Sequence, residues 1–200
     1  MTQVEICNLA LAHIGQNPIT SITDVTPEAK ACNRFWEPLR DDAFREFMWS
    51  FNSVSFTLTP STDVDENSIP GWTYFYDYPT YSIATIWYVY DESTATTKHE
   101  NNFEVKYDLT TASSVICCDL DDAYVDASYI MEDPESWDHK FAKAFSYKLA
   151  SSIAKILTGD EDLGLKLLNI YNAIIWDAKR VASHEKNKKP TQTNRYLESR

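Results

Sequence analysis

Residues 137–159 read WDHKFAKAFSYKLASSIAKILTG, and this stretch decides the fold. Large apolar side chains recur at every fourth position, as on one face of an α-helix: Trp137, Phe141, Phe145, Leu149 and Ile153. A second ridge holds small side chains, which let another helix approach closely: Ala142, Ser146, Ala150 and Ala154. The pattern predicts a helix that is capped by Asp133, has Pro134 in its first turn and ends near Gly159.

Three further segments have helical spacing. The first has a capping box at Thr2 and Glu5 and ends at Gly15. The second begins at Thr26 and contains Pro38, which removes a backbone hydrogen bond and therefore predicts two helical pieces with a bend between them. The third follows Asp160, and its predicted buried stripe is Leu167, Tyr171, Ile174, Ala178 and Val181.

Between residues 50 and 131 the spacing changes to short alternating runs of aromatic and β-branched residues, which are separated by polar turns. Such runs predict a small antiparallel sheet. The predicted fold class is therefore α+β, mainly α. Residues 1–49 and 132–184 would form a kinked antiparallel four-helix bundle, residues 50–131 an inserted sheet, and residues 185–200 an extended tail.

Charge is distributed unevenly along the 200 residues. The chain has 18 basic and 30 acidic residues, a formal net charge of −12. From Glu185 on there are five basic and two acidic residues, a formal +3, which leaves 13 basic and 28 acidic residues, or −15, for residues 1–184. So acidic a body argues against general coating of nucleic acid and against adhesion to anionic lipid, because both need a basic face.

The residues that carry chemistry do not form an active-site motif. The four histidines, His13, His99, His139 and His184, lack metal-ligand spacing, and the four cysteines, Cys7, Cys32, Cys117 and Cys118, contain no CxxC. Four cysteines of this kind predict reduced thiols and assembly in a reducing cytosol. We expect a protein that is not an enzyme and needs no cofactor and no metal, and we find no membrane segment in the sequence.

Two acidic stretches have some of the residues that a functional site needs. Asp63, Asp65 and Asn67 resemble the start of a calcium loop, but Ser68 and Tyr74 stand where that loop needs glycine and glutamate. Asp119, Asp121 and Asp122 could supply the two carboxylates of a cell-wall hydrolase, and a charged turn between two strands is the favoured interpretation.

An ordered set of features resembles the head-to-tail adaptor family of short-tailed bacteriophages, also called tail tubular protein A. These features are EICNLALAHIGQNPITSITD, then EAKACNRFWEPLRDDAFREFMWSF with Arg40, Asp41, Trp49 and Phe51, then GWTYFYDYP from Gly71 to Pro79, which includes Trp72, and last the stretch quoted first, followed by YNAxxxDAK. The match covers residues 4–182. Residues 91–118 match in general character only, so the resemblance assigns no role to them.

The resemblance implies a structural virion protein of the head-tail junction, assembled in the host cytoplasm. Such adaptors form a ring, usually of twelve copies, below the portal protein, extend the DNA channel without sequence-specific binding, and carry the tail nozzle protein. Their C-terminal segment reaches along the portal. Here the predicted portal-binding residues are Lys186, Lys188, Lys189, Pro190, Arg195, Tyr196, Leu197 and Arg200. The first alternative is another ring-forming connector of the virion, and the less favoured one is a virion-associated cell-wall hydrolase. For the tail alone, the alternative is a loose, solubilising end.

Overall fold

A computed structural model of the chain describes residues 1–62, 64, 69–80, 82–98, 101–109 and 111–185. The helices are α1 (Gln3–His13), α2 (Pro27–Arg45), α3 (His139–Thr158) and α4 (Glu161–Glu185). The strands are β1 (Ser53–Thr57), β2 (Tyr74–Asp77), β3 (Ile83–Tyr90), β4 (Phe103–Asp108), β5 (Ser113–Cys118) and β6 (Tyr124–Tyr129). Of the described residues, 46% are helical and 21% lie in strands.

The prediction of a mainly helical four-helix bundle with one small sheet is wrong, because the fold is a mixed α+β structure with two sheets. Each sheet has three antiparallel strands, in the orders β1–β6–β3 and β2–β5–β4. Their facing sides share one core around Val89, Ile116 and Val125. The alternating runs mark the strands, but they do not show which strands become neighbours, since pairing joins residues that are distant in sequence.

The chain crosses from one sheet to the other directly after β1. Pro60 forms a bridge with Tyr76. The amide of Ser61 donates to the carbonyl of Phe75, and the amide of Asp77 donates to the carbonyl of Thr59, both at 2.9 Å. These bonds cover the outer edge of β2, whereas β4, at the other edge of the same sheet, pairs with β5 alone among the described strands.

Helix α3 is the helix against which α1, α2 and α4 pack. Both of its predicted ridges are buried, so that prediction is confirmed. On the large ridge, the Phe141 ring lies 5.2 Å from Phe44, 5.0 Å from Trp49 and 5.2 Å from Phe51, measured between ring centroids. The helical body is therefore arranged around one helix rather than around the axis of a four-helix bundle.

Pro38 does not divide α2, which runs as one helix through it. The predicted two pieces are not formed, because Pro38 is exposed and water can solvate the carbonyl that loses its partner. Helix α3 also begins later than predicted. Asp133 caps a separate 3-10 turn, and the side chain of Asp138 accepts the amides of Lys140 and Phe141 at the true start.

The buried stripe of α4 differs from the predicted one by one residue at two positions. Ile175 and Ala182 are buried, while Ile174 and Val181 are half-buried. Ile174 and Ile175 are adjacent apolar residues, as are Val181 and Ala182. Either member of each pair fits the helical period, so the spacing does not show which one is buried.

Gly164 lets α4 approach α3 closely. A Cβ atom placed on Gly164 would lie 2.9 Å from the backbone carbonyl oxygen of Ser151 and 3.8 Å from the Cβ of Ala154. The first distance is shorter than a carbon–oxygen contact tolerates, and a backbone atom cannot swing aside as a side chain does. The small residues of α3 and this glycine together set the spacing of the two helices.

We predict that Gly164→Ala lowers the free energy of unfolding by about 1–3 kcal/mol, because the added methyl forces the two helices apart. In the absence of that clash the substitution would stabilise α4 by up to about 1 kcal/mol. Urea unfolding measures the difference. Ala173→Gly, at an exposed position of the same helix, is the matched control for helix propensity, and a more stable Gly164→Ala protein would contradict the close contact.

His13 connects the end of α1 to α3. Its ring stacks on Tyr147 with centroids 3.8 Å apart and planes 14° apart, and its Nε2 lies 3.2 Å from the hydroxyl of Ser146. Burial lowers the pKa of His13 below its ordinary value, and the charge of Lys143 lowers it further. The folded protein therefore holds this proton less well than the unfolded chain does.

A lowered pKa makes His13 stabilising when it is neutral. Its contribution is fully present above the unfolded pKa, about 6.5, and is lost as the pH falls from there toward the folded pKa. The loss is at most about 1.4 kcal/mol for each pH unit. We predict that urea unfolding from pH 7.5 to pH 5 shows a smaller loss of stability for His13→Gln than for the natural chain. Equal slopes would contradict the assignment, and the exposed His139→Gln is the control.

Candidate functional site: exposed apolar surfaces on α4 and β4

The residues predicted to bind the portal lie outside the described residues. These are Lys186, Lys188, Lys189, Pro190, Arg195, Tyr196, Leu197 and Arg200. Asp63, Asp65 and Asn67 of the calcium-like stretch and His99 lie outside them too. A site within the described residues must therefore lie on the helical body or on the two packed sheets, which we call the sandwich.

Four residues of the adaptor-like pattern belong to the interior or to its border. Trp49 is buried, and its indole Nε1 donates to the carbonyl of Ala43 at 3.3 Å. Phe51 is half-buried beside it. The buried Arg40 uses its Nε and Nη2 on one carboxylate oxygen of Asp41, at 2.9 and 2.8 Å. These side chains fix the end of α2 and do not form a binding surface.

Trp72 and Pro79 flank β2 and are half-buried. The indole of Trp72 donates to the carboxylate of Glu104 at 3.3 Å and packs on a small second core on the outer side of its sheet. Cys117 belongs to that second core, whereas Cys118 belongs to the core between the sheets. The two adjacent thiols thus point to opposite faces, as their strand predicts.

The candidate catalytic carboxylates lie in the turn between β5 and β6. The favoured interpretation of this stretch, a charged turn between two strands, is therefore confirmed. Asp119 accepts the amide and the hydroxyl of Thr73 at 3.1 and 3.0 Å. Asp121 and Asp122 line an open cavity of about 450 Å³. Over the described ranges, His, Cys, Asp and Glu side chains form no group of three or more suited to a metal ion.

None of the helices in the described part of the chain has the length and apolar character to cross a membrane.

A buried carboxylate organises the outer face of the β1–β6–β3 sheet. Asp126, on the central strand, accepts the hydroxyl of Ser55 at 2.6 Å and that of Tyr90 at 3.0 Å, and it pairs with Lys98. The ammonium of Lys98 also lies over the Tyr90 ring, 4.8 Å from its centroid. Burial raises the pKa of the Tyr90 phenol. Lys98 lies in the connection that follows β3, so its pairing with Asp126 ties that connection to the sheet.

Helix α4 leaves large apolar side chains in contact with water. Trp176 is 71% exposed, Leu165 is 58% exposed and Leu168 is 39% exposed. Eleven residues, about three turns at 3.6 residues per turn, separate Leu165 from Trp176, so both lie on one side of the helix. We call these three residues the α4 surface. A soluble monomer exposes single apolar residues routinely, whereas a row that includes tryptophan is typical of a binding surface.

A groove adjoins the N-terminal half of the α4 surface. Its volume is about 360 Å³, and it lies where Leu39 of α2, Ser151 of α3 and Leu165 of α4 meet. Lys148 lines one part of it, and the ion pair of Lys155 with Glu161, at 3.0 Å, lines another. The groove therefore extends the apolar row into a concave, partly polar recess.

A second apolar row lies on the edge strand β4 and on Leu109, the residue that follows it. Tyr107 is 62% exposed and Leu109 is 87% exposed, and Val105 is exposed in the same alternating row. The row continues from Phe103, which packs against the core between the sheets. We call Val105, Tyr107 and Leu109 the β4 surface. An exposed edge strand with apolar side chains is a site at which proteins associate.

Buried ion pairs and hydrogen bonds hold α4 against α2 and α3. Lys148 of α3 is 6% exposed and pairs with Asp42 at 2.5 Å and Glu46 at 2.6 Å, at the end of α2. The phenol of Tyr171 of α4 donates to Glu46 and lies 2.9 and 3.0 Å from the two carboxylate oxygens. The ammonium of Lys179 pairs with Glu46 at 3.3 Å. Burial raises the pKa of Tyr171, and the charge of Glu46 raises it further. Three helices thus meet at one carboxylate.

Comparison with known proteins adds no identity. No protein-family model matches the chain, and no curated protein matches it. Any functional conclusion therefore depends on the residue pattern and on the surfaces described above.

Sequence reasoning missed both apolar surfaces. The signal for one was present, because Trp176 falls outside the helical stripe that predicts burial and an off-stripe tryptophan needs an explanation. For the β4 surface no local signal existed. Alternation assigns Val105 and Tyr107 to the inner face of a sheet, and only the three-dimensional arrangement shows that the second sheet does not cover that end.

We predict that Glu46→Ala lowers the free energy of unfolding by about 1–3 kcal/mol, because Lys148 and Tyr171 are then left with buried polar groups that lack this partner. Urea unfolding measures the change. Asp177→Ala is the control, since it removes exposed pairs with Lys140 and Arg180 that contribute about 0–1 kcal/mol. Equal effects of the two substitutions would show that Glu46 does not hold the three helices together.

Proposed function

We propose that this protein is a head-to-tail adaptor of a short-tailed bacteriophage. It forms a ring below the portal protein, extends the DNA channel, and offers the platform on which the tail nozzle attaches. The observation that carries the proposal is the ordered adaptor-like pattern over residues 4–182. The structure supports an assembly role independently of that pattern, because the α4 and β4 surfaces are of the kind that permanent neighbours cover.

The acidic charge suits a channel wall. Each copy carries a formal −12, so a ring of twelve carries twelve times this, −144. A wall of that sign repels the phosphates of a passing duplex, and this repulsion lets DNA slide. DNA is thus a passenger in this proposal, and neither its sequence nor a membrane takes part in recognition.

The C-terminal strip is the portal-binding element of the proposal. Its formal +3 against −15 for residues 1–184 suits it to an acidic surface of another protein. Tyr196 and Leu197 provide an aromatic and an aliphatic anchor near its end. Contact through such a strip would attach the ring without placing positive charge along the channel.

We predict that a chain truncated after His184 loses at least tenfold in affinity for the portal protein of its own phage, because both the basic charges and the apolar anchor are removed. Binding to immobilised portal measures the loss, and negative-stain electron microscopy of the mixture shows whether a ring forms below the portal.

The matched variant is Tyr196→Ala with Leu197→Ala, which keeps the charge and removes the anchor. Circular dichroism of each variant confirms that the body is folded. Unchanged portal affinity of the truncated chain would reject the docking role of the strip. A natural chain that shows no binding and no ring would reject the adaptor function itself.

A further inference from the structure

Two of the four buried cysteines face each other inside the helical body. Cys7 lies on α1 and Cys32 on α2, and both are 0% exposed in the apolar core to which the large ridge of α3 belongs. The thiol of Cys7 donates a hydrogen bond to the sulfur of Cys32. Cys117 and Cys118, by contrast, belong to two different cores. Of the four cysteines, only Cys7 and Cys32 are therefore placed to join.

Hydrogen bonds fix the segment that connects the two cysteines. The side chain of Asn8 accepts the amide of Ile19 at 2.8 Å and donates to its carbonyl at 3.0 Å. Ile19 is itself buried. At the start of α2, the hydroxyl of Thr26 accepts the amide of Ala29 at 3.3 Å. The connection is thus tied to α1 and the next helix is capped, so the contact between the two thiols is part of the folded arrangement.

The two thiols differ in how readily they lose a proton. The hydrogen bond from Cys7 lowers the pKa of Cys32, although burial and the charge of Glu28 oppose that shift. The same hydrogen bond and burial raise the pKa of Cys7. The thiolate is the form of cysteine that attacks oxidants. Cys32 is therefore the nucleophile of the pair, and Cys7 is the thiol that keeps its proton.

We propose that Cys7 and Cys32 are a redox-sensitive pair, which hydrogen peroxide converts into a disulfide that ties α1 to α2. A peroxide suits the site because both thiols are buried, and hydrogen peroxide is only a little larger than water. Bonded sulfur atoms lie about 2 Å apart, so thiols that already touch need only a small movement. This inference goes beyond the proposed adaptor function and does not depend on it.

The oxidation takes two steps. The Cys32 thiolate attacks one oxygen of the peroxide, the O–O bond breaks, and the hydroxide that leaves takes up a proton to become water. Cys32 then carries a sulfenic acid. The Cys7 sulfur attacks the Cys32 sulfur, the S–O bond breaks, and the hydroxide leaves with the Cys7 proton as a second water. Two thiols are oxidised to one disulfide, and one peroxide is reduced to two waters.

The disulfide would link two helices that each pack on α3. It closes a loop from Cys7 to Cys32, and such a loop stabilises a protein mainly by restricting the unfolded chain. A reducing cytosol keeps the pair as thiols. The link therefore forms only when the folded chain meets an oxidising environment, and it then stabilises the helical body.

Oxidation of the full natural chain by hydrogen peroxide tests the pair. We expect the thiols counted in denaturant to fall from the four free ones to two, and the intact mass to fall by two hydrogen atoms. Peptide mapping without reductant should recover Cys7 joined to Cys32. The melting temperature should rise by about 5–10 °C, and dithiothreitol should reverse the rise.

Variants identify the residues responsible. The double variant Cys117→Ser with Cys118→Ser keeps the pair and should show the same rise in melting temperature. Cys7→Ser and Cys32→Ser should each abolish the disulfide and the rise. Because the serine of Cys7→Ser can still donate a hydrogen bond to Cys32, peroxide should leave a sulfenic acid there, and dimedone should label it at least fivefold more than it labels Cys7 in Cys32→Ser.

Three results would overturn the proposal. One is a count of four thiols after a peroxide treatment that fully oxidises free glutathione. Another is a disulfide that includes Cys117 or Cys118, or that joins two chains. The third is an internal link between Cys7 and Cys32 with an unchanged melting temperature, which would reject the stabilising tie. The measurements on the natural chain decide the matter even where a serine variant folds poorly, and none of them involves portal binding.

Discussion

The aromatic packing around Phe141 is the interaction on which the rest of the structure depends. Trp49 and Phe51, just before β1, and Trp137, just before α3, all contact this one ring, with centroids 5.0–5.4 Å apart. The chain therefore leaves the helical body and returns to it at the same cluster. Asn52 strengthens this junction, since its side-chain amide donates to the carbonyl of Tyr129 at 3.1 Å. Burying this many rings stabilises the body and fixes where the sandwich is attached.

Buried charge then determines orientation in each part. Glu46 receives hydrogen bonds from α3 and α4 at the end of α2, and Asp126 receives them from both neighbouring strands. A buried ion pair adds little net stability, because desolvation offsets most of its attraction. Its partners must nevertheless be in place, so a wrong rotation of α4 would remove Tyr171 and Lys179 from Glu46. The exposed side of α4, with Trp176 on it, is thereby held in one direction.

Much of this could be predicted from the sequence, and the failures have physical causes. The ridges of α3, the capping box at Thr2 and the strand runs are local patterns, and local patterns identified them. In the described part of the chain six strands pair into two sheets. Such pairing depends on non-local contacts, so the local runs predicted a single sheet. The α4 and β4 surfaces were missed for a related reason. Periodicity shows which side of an element is apolar, and it does not show whether another element covers that side.

The proposed adaptor must remain separate in solution and yet assemble, and a balance between charge and apolar surface would allow both. Copies with a net charge of −12 repel one another. At about 0.1–0.15 M salt this repulsion is largely screened beyond about 8–10 Å. Burial of exposed rows such as those on α4 and β4 favours association by roughly 25 cal/mol for each Å² removed from water. When the charge repulsion and the free energy of apolar burial nearly cancel, a scaffold that holds many copies side by side favours association by raising their effective concentration. A chain built in this way would close a ring where its template is and stay dispersed elsewhere.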